Sequence, residues 1–233
     1  MKTKNNPLNL ILDLLFPRIC FSCNSRISNG IICEKCLNSL EYLTEICSVC
    51  GAEKLTNKCL ICDVNDFQFD KARSVFHFNK IIQNLIHDLK YAELTKVAEL
   101  LGELTEKYMK KFEPFSAIDL IVPVPLHSVK KRARGFNQSQ FLTAEISKRM
   151  NLRHEPNLVR RNRFTETQTK LGRKDRQKNV YGAFSLDPKQ NIERKNILIV
   201  DDVFTTGATV NSISALLKQN GAGDVFVLTI ARA

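Results

Sequence analysis

One stretch, Asn196-Ile-Leu-Ile-Val-Asp-Asp-Val-Phe-Thr-Thr-Gly-Ala-Thr209, constrains this chain more than any other. An apolar run ends in two adjacent carboxylates, Asp201 and Asp202, followed by two threonines, a glycine and an amphipathic segment. That order predicts a buried strand, an acidic strand tip, a glycine-containing loop and a helix start. The first amides of a helix lack intrahelical partners and carry partial positive charge. With the hydroxyls of Thr205, Thr206 and Thr209 beside them, they suit a phosphate. Asp201 and Asp202 suit sugar hydroxyls or Mg²⁺, which prefers hard oxygen ligands. Together they predict a pocket for a sugar phosphate. The plainer alternative is a strand-turn-helix with no ligand. Adjacent carboxylates at a buried strand end repel each other unless a positive or hydrogen-bonding group lies between them.

All eight cysteines fall between positions 20 and 62, in four Cys-x-x-Cys pairs: Cys20/Cys23, Cys33/Cys36, Cys47/Cys50 and Cys59/Cys62. Each pair can place two sulfurs on one tetrahedral Zn²⁺, and two pairs close a Cys₄ site. Four pairs therefore predict two zinc sites. Pairing neighbours needs the shortest loops, but the spacing leaves an interleaved arrangement open. A disulfide framework is the alternative. Four regular pairs and the absence of a secretion signal argue instead for a reducing compartment. Redox catalysis by one pair would leave the other three unexplained. Closed Cys₄ sites have no open coordination position, so their role is structural.

The cysteines stop at position 62, and the charge pattern changes in a similar place. Residues 1–66 hold seven Lys/Arg and seven Asp/Glu, so the whole net charge of +11 lies beyond them. Residues 127–180 alone hold 15 Lys/Arg against four Asp/Glu. A localised basic segment is the footprint of polyanion binding, or of a pyrophosphate site. The breaks divide the chain into a cysteine module at 1–68 and a second domain at 69–233. No apolar run reaches the roughly 20 residues that a spanning helix needs. Residues 8–16 (LNLILDLLF) are apolar but short, are interrupted by Asp13, and lead into Phe16-Pro17-Arg18 rather than a cleavage site. They predict a short amphipathic helix packed on the protein itself, in a cytoplasmic chain.

In the second domain, residues 69–78 alternate as a strand or hairpin, and Ile81, Ile82, Leu85, Ile86 and Leu89 recur at helical spacing. A second helix is expected over 94–112, a buried strand over Ile118–Val124, and a helix over Asn137–Met150. Further strands are expected at Gly182–Leu186, Ile197–Val200 and Val225–Ala231. The helix after the threonine-rich loop stops at Gly221 and Gly223. Alternating strands and helices imply a mostly parallel, doubly wound sheet, with ligands at the carboxyl ends of its strands.

The Asp201–Thr209 run resembles the phosphoribosyl-pyrophosphate (PRPP) motif of the type I phosphoribosyltransferases. The resemblance implies ribose hydroxyls on Asp201 and Asp202. It also implies a 5′-phosphate wrapped by Thr205, Thr206, Gly207, Ala208 and Thr209. Val122-Pro-Val-Pro-Leu-His127 resembles the pyrophosphate-loop position of that family. It is followed by Lys130-Lys-Arg132, Arg134-Gly-Phe-Asn-Gln138, Arg160, Arg163, Thr167-Gln-Thr169 and Gly182-Ala-Phe184. With the cysteine module in front, this order is similar over almost the full chain to the ComF/GntX family of competence-associated, phosphoribosyltransferase-like proteins. The implied fold is α/β, a doubly wound mostly parallel sheet of the type I phosphoribosyltransferase type preceded by a small double zinc ribbon. The resemblance also implies a link to natural transformation, and a DNA-translocating competence ATPase as partner.

Two functions follow. In the first, the zinc ribbons and the 127–180 segment form a groove for single-stranded DNA. Lys130, Lys131, Arg132, Arg134, Arg160, Arg161 and Arg163 contact phosphates, and Phe136 and Phe164 stack on bases unless they belong to the core. In the second, the chain is an enzyme that uses PRPP with Mg²⁺. Asp201 and Asp202 orient the ribose, while Lys90, Arg134 and a 161–178 lid neutralise departing pyrophosphate. No base-reading hood is legible, and the zinc module is the candidate for its place. Lys90 equally suits a helix C-cap. His127 reads as a solvated loop histidine, and His77, His87 and His154 have no evident role.

Overall fold

The computed structural model describes residues 17–54, 58–91, 94–162 and 182–233. The expected helix at 8–16, Arg163, Phe164 and most of the 161–178 lid lie outside the described residues.

The cysteine module carries two short helices, α1 (Glu34–Asn38) and α2 (Leu60–Asp63). Then follow β1 (Lys71–His77), α3 (Lys80–Tyr91), α4 (Leu94–Phe112), β2 (Leu120–Pro123), α5 (Ser128–Arg134) and α6 (Gln138–Met150). The chain continues through β3 (Arg153–His154), β4 (Val159–Arg161), β5 (Phe184–Leu186), β6 (Ile197–Phe204), α7 (Ala208–Gln219) and β7 (Val225–Arg232). Five strands form one parallel sheet in the order β1-β7-β6-β2-β3.

The period-two alternation of β6 divides the core. Leu198 and Val200 face α3, α4 and α6, meeting Leu85, Leu89, Leu101, Leu142 and Ile146. Ile197 and Ile199 face the other side, meeting Val210, Ile213 and Leu217 of α7. Every one of these side chains is buried, which matches helical stripes read at a period of 3.6.

From β2 the chain goes outward to β3, and from β6 it goes the other way to β7. Such a divergence opens a crevice at the strands' carboxyl ends. Pairing between β2 and β6 stops at Pro123↔Val200, with one further bond from Val124 N to Val200 O (2.9 Å). Pairing between β6 and β7 continues to Phe204↔Arg232. Asp201 and its followers thus lose their neighbour on the β2 side only.

Three expectations need correction. β6 runs four residues past Val200, so the acids lie within the strand and not at its tip; continued pairing with β7 holds the backbone extended. The strand expected at Gly182–Leu186 shortens to β5 and pairs antiparallel with β4, apart from the main sheet. Helix α5 and strands β3 and β4 were not anticipated. β3 and β4 are two and three residues long, and α5 is mostly cationic, so none of them has an apolar period to read.

The cysteine module closes the free edge of β1. Tyr42 bridges to Phe76, Leu43 N donates to Val75 O (3.1 Å), and Ala72 N donates to Val49 O (2.7 Å). An exposed strand edge invites pairing with other chains, and this strap occupies it. Gly51 makes the contact possible. Its φ is +68°, and a Cβ there would lie 2.6 Å from Ala72 O.

Candidate functional site

β6 delivers Asp201 and Asp202 into the crevice, and the start of α6 answers them. Asp202 is buried. Its Oδ2 lies 2.5 Å from Lys90 Nζ, at the end of α3, and accepts a weaker bond from Gln138 Nε2 (3.4 Å). Asp201 Oδ1 accepts from Ser139 Oγ (3.0 Å) and from Asp202 N (2.9 Å). Asn137 caps α6 by accepting from Ser139 N (3.2 Å), while its Nδ2 donates to Val124 O (3.0 Å). The helix start is thereby pinned to the exit of β2, with its positive end toward the acids. Lys90, Gln138 and Ser139 are the groups that let adjacent carboxylates coexist. Burial, reinforced by the charge of Asp202, still pushes the Asp201 carboxyl up to about 7.

A cationic wall adjoins the pair. Arg134 Nη1 donates to Gln138 Oε1 (2.6 Å), and its guanidinium lies 5.2 Å from the Tyr91 ring centroid. Arg161 packs its guanidinium 5.5 Å from the Phe184 ring. Burial depresses its pKa, and the charge of Asp201 opposes that change, so Arg161 lies within electrostatic reach of the acid.

On the other side of Asp201, β6 turns through Thr205 and Thr206 into α7. Gly207 is the N-cap residue at φ +76°, and no side chain caps the helix from that position. A Cβ on Gly207 would lie 2.6 Å from Phe204 Cζ and 3.2 Å from Phe67 Cε1. The turn encloses a cavity of about 50 Å³ lined by Asp201, Thr205, Thr206, Ala208 and Thr209 among others. That exceeds the roughly 30 Å³ share of one water. Helix amides and threonine hydroxyls on one side, and a carboxylate on the other, suit the phosphate and the hydroxyl of one small ligand.

The eight cysteines form two groups by neighbouring pairs. Cys20, Cys23, Cys33 and Cys36 make one, and Cys47, Cys50, Cys59 and Cys62 the other, with all ligand atoms of a group within 4.8 Å of one another. None is in a disulfide. Backbone amides point at sulfur: Cys36 N to Cys33 Sγ and Cys33 N to Cys20 Sγ are both 3.4 Å. Four soft sulfurs converging with amide donors around them fit a structural Zn²⁺. Four thiolates on Zn²⁺ carry a formal charge near −2. At the second centre Arg73 donates to Ser48 O (3.0 Å) and Arg232 to Cys50 O (2.8 Å), which offsets that charge.

The double zinc ribbon domain family matches residues 11–65. Over nearly the whole chain, DNA utilization protein YhgH of Escherichia coli K12 is 30% identical across 226 residues, covering 94% of this chain and 99% of the relative. The chain belongs to the ComF/GntX family. Competence protein F of Haemophilus influenzae is 29% identical across 219 residues (92% of this chain, 90% of the relative). Competence protein ComFC of Bacillus subtilis is 27% identical across 238 residues (92% and 95%). Among solved structures, an adenine phosphoribosyltransferase shares 16% identity at a TM-score of 0.40, covering 59% of this chain and 70% of that one. The fold assignment rests on strand order and family membership, not on that likeness.

In this ComF/GntX chain the crevice gathers Asp201, Asp202, Lys90, Arg134 and Arg161, with Thr205–Thr209 adjoining. The other basic candidates are not assembled there. Arg160 is exposed and paired with Asp187 (2.8 Å), and Arg132 is exposed on α5. Lys130 and Lys131 lie on α5, but their side chains fall outside the described set. Phe136 is half-buried, with its ring edge-on to Phe141 at 6.0 Å. Of the 127–180 segment, Arg149 lines one groove with Arg18, Ile31 and Ile32 of the ribbon. The ribbon is tied to β1 at one sheet edge, whereas the basic segment begins at β2 and continues past β3 at the other. The two edges lie four strand spacings apart, about 19 Å. His127 is buried, not solvated, and its Nδ1 accepts from Val129 N (3.2 Å) at the start of α5. Sequence reasoning passed over Gln138 and Ser139 as site residues. The signal available was Asn137 as a helix cap, which places the next two side chains at the mouth of the crevice.

Proposed function

We propose that this protein is a competence-type, phosphoribosyltransferase-like protein of the cytoplasm. In this reading it handles incoming single-stranded DNA and holds a ribose phosphate of the PRPP type in the β2–β6 crevice. The observation that carries the reading is the cavity of about 50 Å³ between Asp201 and the start of α7. The relatives named as competence and DNA utilization proteins support its cellular side. Thr205, Thr206, Gly207, Ala208 and Thr209 wrap the 5′-phosphate. Asp201 and Asp202 accept sugar hydroxyls, with Mg²⁺ neutralising the ligand's own charge. Lys130, Lys131, Arg132, Arg160, Arg161 and Arg163 contact strand phosphates, beside Phe136. A DNA-translocating ATPase is the partner that would deliver the strand.

The test is a mobility shift of a labelled single strand across a salt series. Counterion release predicts a steep fall of affinity with salt, with a log–log slope of about −0.7 per phosphate contacted. Affinity indifferent to salt, or unchanged in Arg132→Ala/Arg160→Ala/Arg163→Ala, contradicts it.

A second reading, a PRPP-dependent transferase acting on a nucleobase or other small acceptor, is favoured by one observation. Lys90 and Arg134 meet the acid pair through Asp202 and Gln138, where departing pyrophosphate would need cations. Release of pyrophosphate from PRPP with a panel of bases would establish it, and no release with any base would leave binding alone.

A further inference from the structure

Beside Thr206 and Ala208, a second space adjoins the phosphate turn. It is a groove of about 440 Å³ between the ribbon's last residues and α7. Residues 64–68 form one wall, and Asn211 and Ala215 stand on the other. The wall is fixed in place. Asn211 Oδ1 accepts from Gln68 N (2.5 Å), and Asn211 Nδ2 donates to Asp66 O (3.1 Å). Phe67 is stacked on Phe69 (4.6 Å between centroids), with its edge toward the Phe204 ring. Thr206 and Ala208 line both the groove and the small phosphate cavity, so the two spaces adjoin at the turn. A phosphate monoester has one organic substituent and needs only the Asp201 side. A phosphodiester has two, and this turn has room on both sides.

The Asp201 side adds a constraint. Two carboxylates accept hydroxyl donors and repel a phosphate, because like charges at contact distance in a partly buried site are strongly unfavourable. In a polynucleotide, the 3′ oxygen of an internal nucleotide is esterified and carries that phosphate. Only the last nucleotide at the 3′ end offers a free hydroxyl together with a 5′-phosphodiester. Asp66 on the groove wall likewise disfavours a further phosphate there, whereas a neutral nucleoside meets amides, methyl groups and an aromatic ring.

We propose that the site binds the 3′-terminal nucleotide of a single strand. Its free 3′-hydroxyl meets Asp201 and Asp202, its 5′-phosphodiester occupies the Thr205–Thr209 turn, and the penultimate nucleoside lies in the ribbon–α7 groove. This rests on the ribose-phosphate reading above and names the substrate class of the same site.

The experiment is competition against PRPP with Mg²⁺, measured by titration calorimetry on the full, zinc-loaded protein. The competitors are a deoxydinucleotide with a free 3′-hydroxyl, the same dinucleotide bearing a 3′-phosphate, and deoxyribose 5-phosphate. The free dinucleotide should displace PRPP and bind about tenfold more tightly than deoxyribose 5-phosphate, the size of effect that one nucleoside stacked on an aromatic wall supplies. The 3′-phosphate form should be weaker by tenfold or more. Ala215→Trp, which plugs the groove without touching the turn, should keep PRPP binding and lose the dinucleotide's advantage. Equal affinity of the 3′-hydroxyl and 3′-phosphate forms in the wild type would overturn the proposal, as would a dinucleotide that fails to displace PRPP. If PRPP itself does not bind, the ribose-phosphate reading fails first.

Discussion

Asp201 should make the protein less stable at neutral pH than it would be without a carboxylate there. Burial, with the charge of Asp202 adding to it, raises its folded-state pKa from 3.8 to about 7. A raised carboxyl pKa means that the native state prefers the protonated form. The resulting stability is fully present below about pH 4 and is lost as pH rises through about 7. Every tenfold gain in proton affinity on folding corresponds to about 1.4 kcal/mol, which sets a ceiling of roughly 4 kcal/mol. Asp201 is only half-buried, and solvent reaching it through the crevice reduces the expected cost to about 2 kcal/mol. Asp201→Asn keeps the shape and removes the charge. Urea unfolding at a series of pH values should show the variant more stable than the wild type by about 2 kcal/mol near pH 8. The gap should close as pH falls toward 4, where the wild-type carboxyl is neutral in both states. In thermal melts of a chain this size, that difference is about 4–8 °C. A variant no more stable at pH 8, or a gap that does not change with pH, refutes the reasoning. The same titration bears on the ligand, since the ionised carboxylate is the better acceptor for sugar hydroxyls. PRPP affinity should weaken as pH drops below about 7, opposite in direction to stability. That opposition is expected where a site keeps a strained group for use.

Gly207→Ala combines a left-handed backbone with a Cβ 2.6 Å from the Phe204 ring, so it should cost about 2–4 kcal/mol in chemical denaturation and abolish phosphate binding at the turn. Lys90→Met leaves Asp202 buried without its cation, held by Val203 N (2.8 Å) and the weaker Gln138 amide (3.4 Å). It should destabilise the fold by about 3 kcal/mol in urea unfolding, and no loss would mean that the pair is not formed. Metal analysis should find two zinc ions per chain. Strong chelation should unfold the two cysteine centres, uncover the edge of β1 and produce aggregation visible by light scattering. A chelated protein that keeps its melting profile would contradict a folding role for the metal. Chelation should also weaken the phosphate turn, because Arg232 bonds Cys50 O and lies 4.3 Å from the Phe204 ring that backs Gly207.

The features legible in the sequence were those with a period or a fixed spacing. The apolar stripes of α3 and α4 gave their bounds, and four Cys-x-x-Cys pairs gave two metal centres. The shortest loops favoured pairing of neighbours, which is the pairing found, although spacing alone left an interleaved arrangement open. The acids and the threonine turn were readable as a unit because their chemistry is contiguous in the chain. Gln138 and Ser139 reach the same acids from α6, and nothing local to them announces it. The end of β6 was misjudged because two aspartates look like a strand terminus. Pairing with β7 overrides that weak local signal, as tertiary context commonly does for strands.

Calorimetric titration of PRPP with Mg²⁺ into the wild type and into Asp201→Asn/Asp202→Asn tests most directly whether the crevice holds a sugar phosphate. The wild type should show one site per chain. The double variant should lose at least about tenfold in affinity, since each lost charge-assisted bond removes about 1.5–3 kcal/mol. No heat with folded, zinc-loaded wild type, or identical isotherms for the two proteins, would contradict the sugar-phosphate site.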